Sequence, residues 1–202
     1  MSKFWRLDGP VQTLILAAEQ KRLPQVIYWG TPLPASEDCA ALAAAHTMDI
    51  TGGMLDANPE LPICPEASQS FPGQPGLICR DAQGRVLRPN FRFEQELTQD
   101  DSLCLTYADK ELGLTYEAHF ELTASSNMLT CWSRLTAMQP LIVNWLAAPV
   151  FPATQLSDAM IGFSGRWIGE FQTHAIPWRP GIHKRESRTG RSGHEHFPGP
   201  IL

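Results

Sequence analysis

The sequence predicts a mainly β protein of two stacked antiparallel sheets with one or two short helices. Between Gly113 and Thr123, apolar and polar residues alternate strictly, so that one set faces a core. The 202 residues include 17 prolines and 15 glycines and are only 18% charged, which favours many turns over helical bundles. Other strand-like segments recur at the spacing typical of a β-sandwich. The 43% of hydrophobic residues suffices for one domain with a sizeable core.

The N-terminal segments predict two strands, a helix and a long loop. Val11–Ala17 and Gln25–Trp29 are strand-like and flank a polar turn. A helix is expected at Ser36–Ala45, because Ser36 can cap the first turn and the alanines have high helix propensity. Thr51–Arg80 then carries five prolines, which remove ladder donors and fix φ. We expect a long ordered loop there, and loops of this length are often functional.

The second half predicts a run of antiparallel strands. Its clearest element is a hairpin: Leu103–Tyr107 alternates, the chain turns at Asp109–Gly113, and the alternation continues to Thr123. The buried set on the second strand is expected to be Leu114, Tyr116, Ala118, Phe120 and Leu122. Further strands are expected at Phe91–Leu97, Met128–Leu135 and Leu141–Leu146. The last is a continuous apolar run, which suits a strand covered on both faces.

Charge, cysteine spacing and the N-terminus narrow the class of protein. The net charge of −5 disfavours a nucleic-acid partner, since phosphate binding needs a basic surface. The five cysteines are odd in number and form no CxxC pair, which favours free thiols in a reducing compartment. The N-terminal segment lacks the apolar core of a secretory signal, and no apolar run approaches the roughly 18–20 residues of a membrane span. We expect a soluble, cytoplasmic protein without a membrane partner.

Motifs of catalytic or metal chemistry are scarce. G-x-S-x-G, G-x-G-x-x-G, a Walker loop and H-E-x-x-H are all absent, so no catalytic residue and no cofactor are expected. His194 and His196, with His183 upstream, are the nearest approach to a metal site. They stand in a Gly-rich tail without Cys or Asp at ligand spacing, which favours contacts with neighbouring backbone over a metal. No metal ligand is predicted.

Carboxylates and tryptophans are residue types that bind or process carbohydrates. Glu117 and Glu121 share a strand face, and glycosidases use carboxylate pairs, but the alternation puts both on the solvent face. Trp132 and Trp145 stand within strand-like runs, where core packing is favoured over a sugar platform. Two other tryptophans, Trp167 and Trp178, stand in irregular sequence and are better candidates for binding. Six basic residues against two acidic ones between positions 166 and 191 suit docking onto a partner surface.

The C-terminal segment carries a family resemblance. The order G-x-W-x-x-E, then E-S-R-x-G-x-S-S-H-x-x-N-P, resembles the end of the N-terminal domain of family 36 α-galactosidases. The positions that match it are Trp167, Glu170, Ser187, Arg188, Gly190, Ser192, His194 and Pro198. Gly193 and Phe197 depart from it, standing where the family has Ser and Asn. An early Tyr28-Trp-Gly and the Pro-rich loop follow the same order of features, so the resemblance spans most of the chain.

The resemblance implies a β-supersandwich similar to the galactose mutarotase fold. Such a domain precedes a (β/α)8 barrel in which two aspartates hydrolyse α-galactosides with retention. Residues 1–165 would form the sandwich, and residues 166–202 an irregular junction that leads to this barrel. The domain would pack on its own barrel, assist homo-oligomerisation and contribute to the active-site rim, while the 202 residues alone would be inactive. The Pro-rich loop of the family carries a Tyr-Pro…Gly…Asp-Phe-Arg signature. Here Pro72, Gly76 and Arg80 keep the proline, a glycine and the arginine while the aspartate is lost, which makes Arg80 the candidate contact with the sugar.

Two other functions stay open from the sequence. A free-standing carbohydrate-binding module would use Trp167 or Trp178. A small mutarotase-like epimerase would need a His and Glu pair, which no pattern in the sequence identifies. The apolar end at Phe197–Leu202 favours the α-galactosidase domain, because independent domains usually end in solvated sequence. The choice of α-galactoside, and α-galactosidase against α-N-acetylgalactosaminidase activity, would be made by barrel residues.

Overall fold

The structure, a computed structural model, describes residues 2–46, 60–69, 71–153, 157–165, 168–179, 181–184 and 196–201. Contacts divide the chain into two compact units, Met1–Pro152 and Ala153–Leu202. The sequence placed its boundary later, at residue 165. In the first unit the elements are β1 Ser2–Asp8, β2 Thr13–Glu19, β3 Gln25–Gly30, α1 Cys39–His46, a 3₁₀-helix at Ala67–Gln69, β4 Leu77–Asp81, β5 Val86–Leu87, β6 Arg92–Gln99, β7 Ser102–Asp109, β8 Leu114–Thr123, β9 Met128–Ala137 and β10 Leu141–Leu146.

The strands of the first unit form three antiparallel sheets. Their strand orders are β1-β2-β3, β10-β4-β5 and β6-β7-β8-β9. One hydrophobic core joins all three, because it takes side chains such as Leu14 from the first sheet, Cys79 from the second and Tyr116 from the third. The prediction of a mainly β sandwich of antiparallel sheets with one or two short helices is confirmed.

The alternation on β8 sets one layer of this core. Its five predicted core residues are all buried, at 2% exposure or less, while the residues between them are half-buried. A strand with one face on the core and the other turned outward has this period of two. β7 shows the same alternation, with Leu103, Leu105 and Tyr107 buried, so the predicted hairpin is confirmed.

The central strand of the first sheet is buried on both faces. Leu14 and Leu16 of β2 join the main core, whereas Ile15 and Ala17 join a second cluster on the opposite face. Leu42 of α1 packs against that second cluster. The helix therefore covers the side of the sheet that the main core does not.

The helix begins later than the sequence predicted. The Asp38 carboxylate accepts hydrogen bonds from the backbone N–H groups of Ala40 and Ala41, at 2.9 and 3.1 Å. These are two of the donors that lack a partner in the first turn of a helix, so Asp38 is the N-cap and α1 starts at Cys39. The prediction that Ser36 caps the helix is wrong.

The described part of the Pro-rich loop is held in the core. Ile63 and Cys64 are at most 1% exposed, and the Ile63 N–H donates to the Pro24 carbonyl while the Ile63 carbonyl accepts from Val150. The loop ends before Leu77, because β4 begins there with buried Leu77 and Cys79. The expectation that the loop extends to Arg80 is wrong in its last residues. Residues 51–59 and 70 of the expected loop lie outside the described residues.

β10 is more exposed than its apolar sequence predicted. Ile142, Val143 and Trp145 are between 43% and 47% exposed, so the expectation of a strand covered on both faces is wrong. β10 is an edge strand, and only β4 pairs with it among the described residues.

The second unit contains a sheet of its own. β11 Ala159–Ser164 lies between β12 Gln172–Pro177 and β13 His196–Ile201, and both pairings are antiparallel. Two of these strands lie where the sequence predicted an irregular tail, so that prediction is wrong for both. The short segments of β12 and β13, interrupted by Gly and Pro, have no alternating pattern that would predict a strand. Their strand structure comes from hydrogen-bonded pairing with β11. Within the described part of the chain, no helix has the length and apolar composition needed to cross a membrane.

Candidate functional site

Arg80, the candidate substrate contact, lies on β4 and not in a loop. It is exposed, and its guanidinium Nη1 donates a hydrogen bond to the Gly84 carbonyl at 3.0 Å. The turn that follows is fixed by Asp81, whose carboxylate accepts from the backbone N–H groups of Gln83 and Arg85, both at 2.9 Å. Gly84 has a positive φ of 80°, a conformation that glycine adopts without strain. Arg80 therefore lies at the end of a hairpin whose turn is held by hydrogen bonds to Asp81.

Arg80 stands among exposed apolar side chains. In the register of the sheet it lies directly between Val86 of β5 and Ile142 of β10, and residues opposite each other share a face. Trp145 is opposite Ile78, two residues from Arg80 on the same face of β4. Val86 is 56% exposed, Ile142 47% and Trp145 43%. We call Ile78, Arg80, Val86, Ile142 and Trp145 the Arg80 face.

The Arg80 face has the composition of a docking surface. Monomeric proteins seldom expose neighbouring large apolar residues over several strands, and such patches mark interaction sites. Aromatic and arginine side chains are the residue types enriched at the centre of interfaces. Trp145 was predicted to pack in the core; the edge position of β10 places it outside instead.

Of the residues of the C-terminal motif, the structure describes Gly165, Glu170 and the backbone of Pro198, which belongs to β13. The Glu170 side chain is half-buried and lies in the turn between β11 and β12, where Ile168 and Phe171 both have positive φ, 67° and 55°. The other predicted motif residues, Trp167, Ser187, Arg188, Gly190, Ser192 and His194, lie outside the described residues.

Gly165, at the start of the C-terminal motif, is required by close packing. A Cβ atom there would lie 2.0 Å from the Gly169 carbonyl oxygen, closer than any real contact. Its φ of 153° also lies in the range that side chains other than glycine rarely adopt. The first glycine of the motif therefore has a structural role in the turn that carries Glu170.

Trp178 contacts a residue of its own segment. Its ring stacks on His183 with 5.4 Å between centroids and 27° between planes, and His183 Nε2 donates to the Arg179 carbonyl at 3.0 Å. A tryptophan with one face taken by an imidazole presents less platform to a sugar ring. His183, which the sequence paired with His194 and His196, is thus held by its own segment.

The outward face of the sheet β6-β7-β8-β9 brings together three groups that the sequence analysis did not connect. His119 of β8 is directly opposite Cys104 of β7, and Glu117 is two residues before His119 on the same face. His119 Nε2 lies 3.8 Å from Cys104 Sγ and 3.8 Å from Glu117 Oε2. These side chains are half-buried, which differs from the solvated face expected for Glu117. The signal was the i, i+2 spacing of Glu117 and His119, but the pairing with Cys104 required the register.

Trp132 lies beside this cluster. It is opposite His119 in the register of β8 and β9, and the two rings stack with 4.8 Å between centroids and 4° between planes. Trp132 is 39% exposed, so the expectation that it packs in the core is wrong. Successive residues of β9 point to opposite faces of the sheet, and one alternate set is turned to the core. Trp132 belongs to the other set, which is exposed.

Glu66 is a buried carboxyl with a strongly perturbed pKa. It is 6% exposed, and burial raises its pKa to about 7, even though the carboxylate accepts a hydrogen bond from the Phe91 N–H at 2.7 Å. That hydrogen bond connects the Pro-rich loop to Phe91, the residue directly before β6. With the carboxyl enclosed in the core, its role is structural anchoring of the loop.

Comparison with known proteins relates this chain to one family of glycosyl hydrolases. A family model described as the glycosyl hydrolase family 36 N-terminal domain matches residues 22–202. An α-galactosidase from Escherichia coli is 28% identical over 207 residues, which include 100% of this chain and 28% of the relative. Because it matches so small a part of that relative, this chain resembles one portion of a longer enzyme.

Solved structures of α-galactosidases likewise match this chain over about a third of their own length. The α-galactosidase AgaA from Geobacillus stearothermophilus has a TM-score of 0.77 to this chain at 16% identity, with 97% of this chain and 31% of AgaA covered. The α-galactosidase from Lactobacillus brevis has a TM-score of 0.72 at 17% identity, with 96% of this chain and 30% of that enzyme covered. These two likenesses establish the fold.

Proposed function

Since this chain belongs to the glycosyl hydrolase family 36 N-terminal domain family, we propose that it is the non-catalytic N-terminal domain of an α-galactosidase. The chemistry would lie in a (β/α)8 barrel of the parent protein, which hydrolyses terminal α-galactosides by a retaining mechanism. The observation that carries the proposal is the family match over residues 22–202, together with relatives named as α-galactosidases that are more than three times as long as the part matched.

In this proposal the domain packs on its own barrel through the Arg80 face. Burying Ile142, Trp145 and Val86 against a second domain would remove large apolar side chains from water, which favours association by roughly 25 cal/mol per Å² of apolar surface before the costs of docking are counted. Arg80 then lies at the edge of an interface with a sugar-processing domain. The guanidinium N–H donors of Arg80 suit hydroxyl oxygens, which supports a contact with the α-galactoside at the active-site rim.

The proposal extends to the motif residues and to the assembly. Trp167, Glu170, Ser187, Arg188, Gly190, Ser192 and His194 would form the junction to the barrel, and the full-length enzyme would be a homo-oligomer. A cytoplasmic location is proposed on the five cysteines, all of which are free thiols in the structure. No cofactor is assigned to the domain.

A chimaeric enzyme tests this function. The matching 28% of Escherichia coli α-galactosidase would be replaced by this chain, and hydrolysis of p-nitrophenyl α-galactoside would be measured beside the same enzyme with that portion deleted. Activity in the chimaera but not in the deletion variant supports a domain that completes the enzyme. The chain by itself should not hydrolyse the substrate, and turnover by the isolated chain would rule out a non-catalytic role.

A free-standing carbohydrate-binding module is the second candidate, and the position of Trp145 favours it. An exposed indole beside an exposed arginine offers a stacking surface and hydrogen-bond donors to a sugar. Titration of the isolated chain with galactose or melibiose separates the two functions. A saturable change in tryptophan fluorescence would support the binding module, and an unchanged spectrum is expected for a domain that docks on a barrel.

A further inference from the structure

Cys104, Glu117 and His119 offer three different ligand atoms to one point in space. A sulfur, an imidazole nitrogen and a carboxylate oxygen, one from each residue, all lie within 4.8 Å of one another. They come from two neighbouring strands in a defined register, so their separation is set by the sheet and not by a loop. All three side chains are partly shielded from solvent, with 16% of the His119 side chain and 23% of the Glu117 side chain exposed.

Two of the three distances between the ligand atoms are close to those around a tetrahedral metal ion. With zinc bonds of about 2.3 Å to sulfur and about 2.0–2.2 Å to nitrogen and oxygen, tetrahedral geometry puts sulfur and nitrogen about 3.6 Å apart and nitrogen and oxygen about 3.4 Å apart. His119 Nε2 lies 3.8 Å from both Cys104 Sγ and Glu117 Oε2. Side-chain rotations that move each atom by a few tenths of an ångström would close these two differences. The third pair, Cys104 Sγ and the Glu117 carboxylate, lies within 4.8 Å and would have to shorten to about 3.6 Å on metal binding. A fourth position would be left for water.

Two neighbours hold the ligands in place. The Trp132 ring stacks on His119, almost parallel to it, and so restricts rotation of the imidazole. Arg134 Nη1 lies 3.2 Å from Glu117 Oε2 and orients the carboxylate from the side of β9. A carboxylate has about four acceptor positions, so it can accept from arginine and bind an ion at the same time. Outer groups of this kind tune and orient metal ligands.

The ligand set selects the type of ion. Thiolate and imidazole favour zinc and similar transition metals, whereas magnesium and calcium require mainly oxygen ligands. We propose that Cys104, Glu117 and His119 form a binding site for one zinc-type divalent ion on the outward face of β7 and β8. This site is independent of the proposed docking function and lies on a different sheet from the Arg80 face.

Binding of Zn²⁺ and Co²⁺ to the 202-residue chain tests the proposal. Competition with a colorimetric zinc chelator should show one bound Zn²⁺ per chain. Co²⁺ should give a near-ultraviolet sulfur-to-metal absorption band and the intense visible bands of tetrahedral coordination. Cys104→Ser should abolish the sulfur band, and His119→Ala and Glu117→Gln should each weaken Zn²⁺ binding by at least about tenfold.

Matched variants make the outcome decisive. Glu121→Gln changes a carboxylate on the same strand face, and Cys39→Ser changes another half-buried thiol, so both should bind Zn²⁺ as the unmodified chain does. Thermal unfolding followed by circular dichroism checks that every variant folds, and Zn²⁺ should raise the midpoint only where the three ligands are intact. The absence of stoichiometric binding overturns the site. So does binding that survives Cys104→Ser and disappears in His194→Ala, which would place the ion in the C-terminal tail.

Discussion

Gly76 lies directly against Cys64: a Cβ atom at position 76 would be 2.7 Å from Cys64 Sγ and 2.9 Å from its Cα. The Gly76 N–H donates to the Pro65 carbonyl, and the Gly76 carbonyl accepts from Ala147, both at 2.8 Å. The glycine at the end of the Pro-rich loop therefore lies where two backbone segments pass too close together to leave room for a Cβ atom.

This contact predicts a steric cost at position 76. Gly76→Ala should lower the free energy of unfolding by about 1–3 kcal/mol, because the Cys64 backbone cannot move without breaking the hydrogen bonds of Ile63 and Pro65. Gly76→Val should cost more. Urea unfolding measures both variants, and an unchanged midpoint for Gly76→Ala would show that the loop yields freely.

Glu66 predicts a pH dependence of stability. Its ordinary pKa is 4.5 and burial raises it to about 7 in the folded chain, so between these values the unfolded chain loses the proton first. Stability is therefore highest below about pH 4.5 as far as this group is concerned, and falls as the pH rises to about 7. The difference corresponds to roughly 3 kcal/mol.

Replacement by glutamine isolates the contribution of Glu66 to the pH dependence of stability. Glu66→Gln keeps an acceptor for the Phe91 N–H but cannot ionise, so the variant should be more stable than the unmodified chain at pH 8 and similar to it at pH 4. Unfolding in urea across this range is the measurement, and exposed Glu60→Gln is the control. The same slope with pH in Glu66→Gln as in the unmodified chain would contradict the assignment.

Two buried tyrosines form a matched pair. The hydroxyl of Tyr107 has no hydrogen-bond partner among the described residues, whereas the hydroxyl of Tyr116 lies 3.0 Å from Ser133 Oγ. Tyr107→Phe should be neutral or stabilising, since it removes an unpaired polar group from the core. Tyr116→Phe should cost about 1 kcal/mol. Thermal or urea unfolding compares the two, and an equal loss in both variants would show that a partner for Tyr107 exists.

The exposed position of Trp145 predicts that its replacement affects domain docking more than the stability of the isolated chain. Trp145→Ser should change the unfolding free energy of the isolated chain by only about 1 kcal/mol, because the side chain is 43% exposed. In the chimaeric α-galactosidase the same change should weaken domain docking by about 2 kcal/mol or more, as expected for a central interface tryptophan. Activity after mild heating reports this loss. Met128→Ser, at a residue 63% exposed on another sheet, should leave it unchanged.

Strict alternation made the β7-β8 hairpin predictable, because a period of two fixes both the strand and its buried face. Capping was less predictable: Ser36, Glu37 and Asp38 all precede the helix, and the chain path selects Asp38. Trp132 and Trp145 were misplaced because an apolar run does not say which face is covered. That depends on the strands and sheets beside it.

The sequence by itself determined the fold class, the residues that face the core on β8 and the family resemblance carried by the C-terminal motif. These are local properties of composition, period and order along the chain. Only the tertiary structure decided that Arg80 lies on a strand among exposed apolar residues, and that Cys104 lies opposite His119. Both facts depend on pairing register between strands distant in sequence, and register is fixed when the sheets pack around a common core.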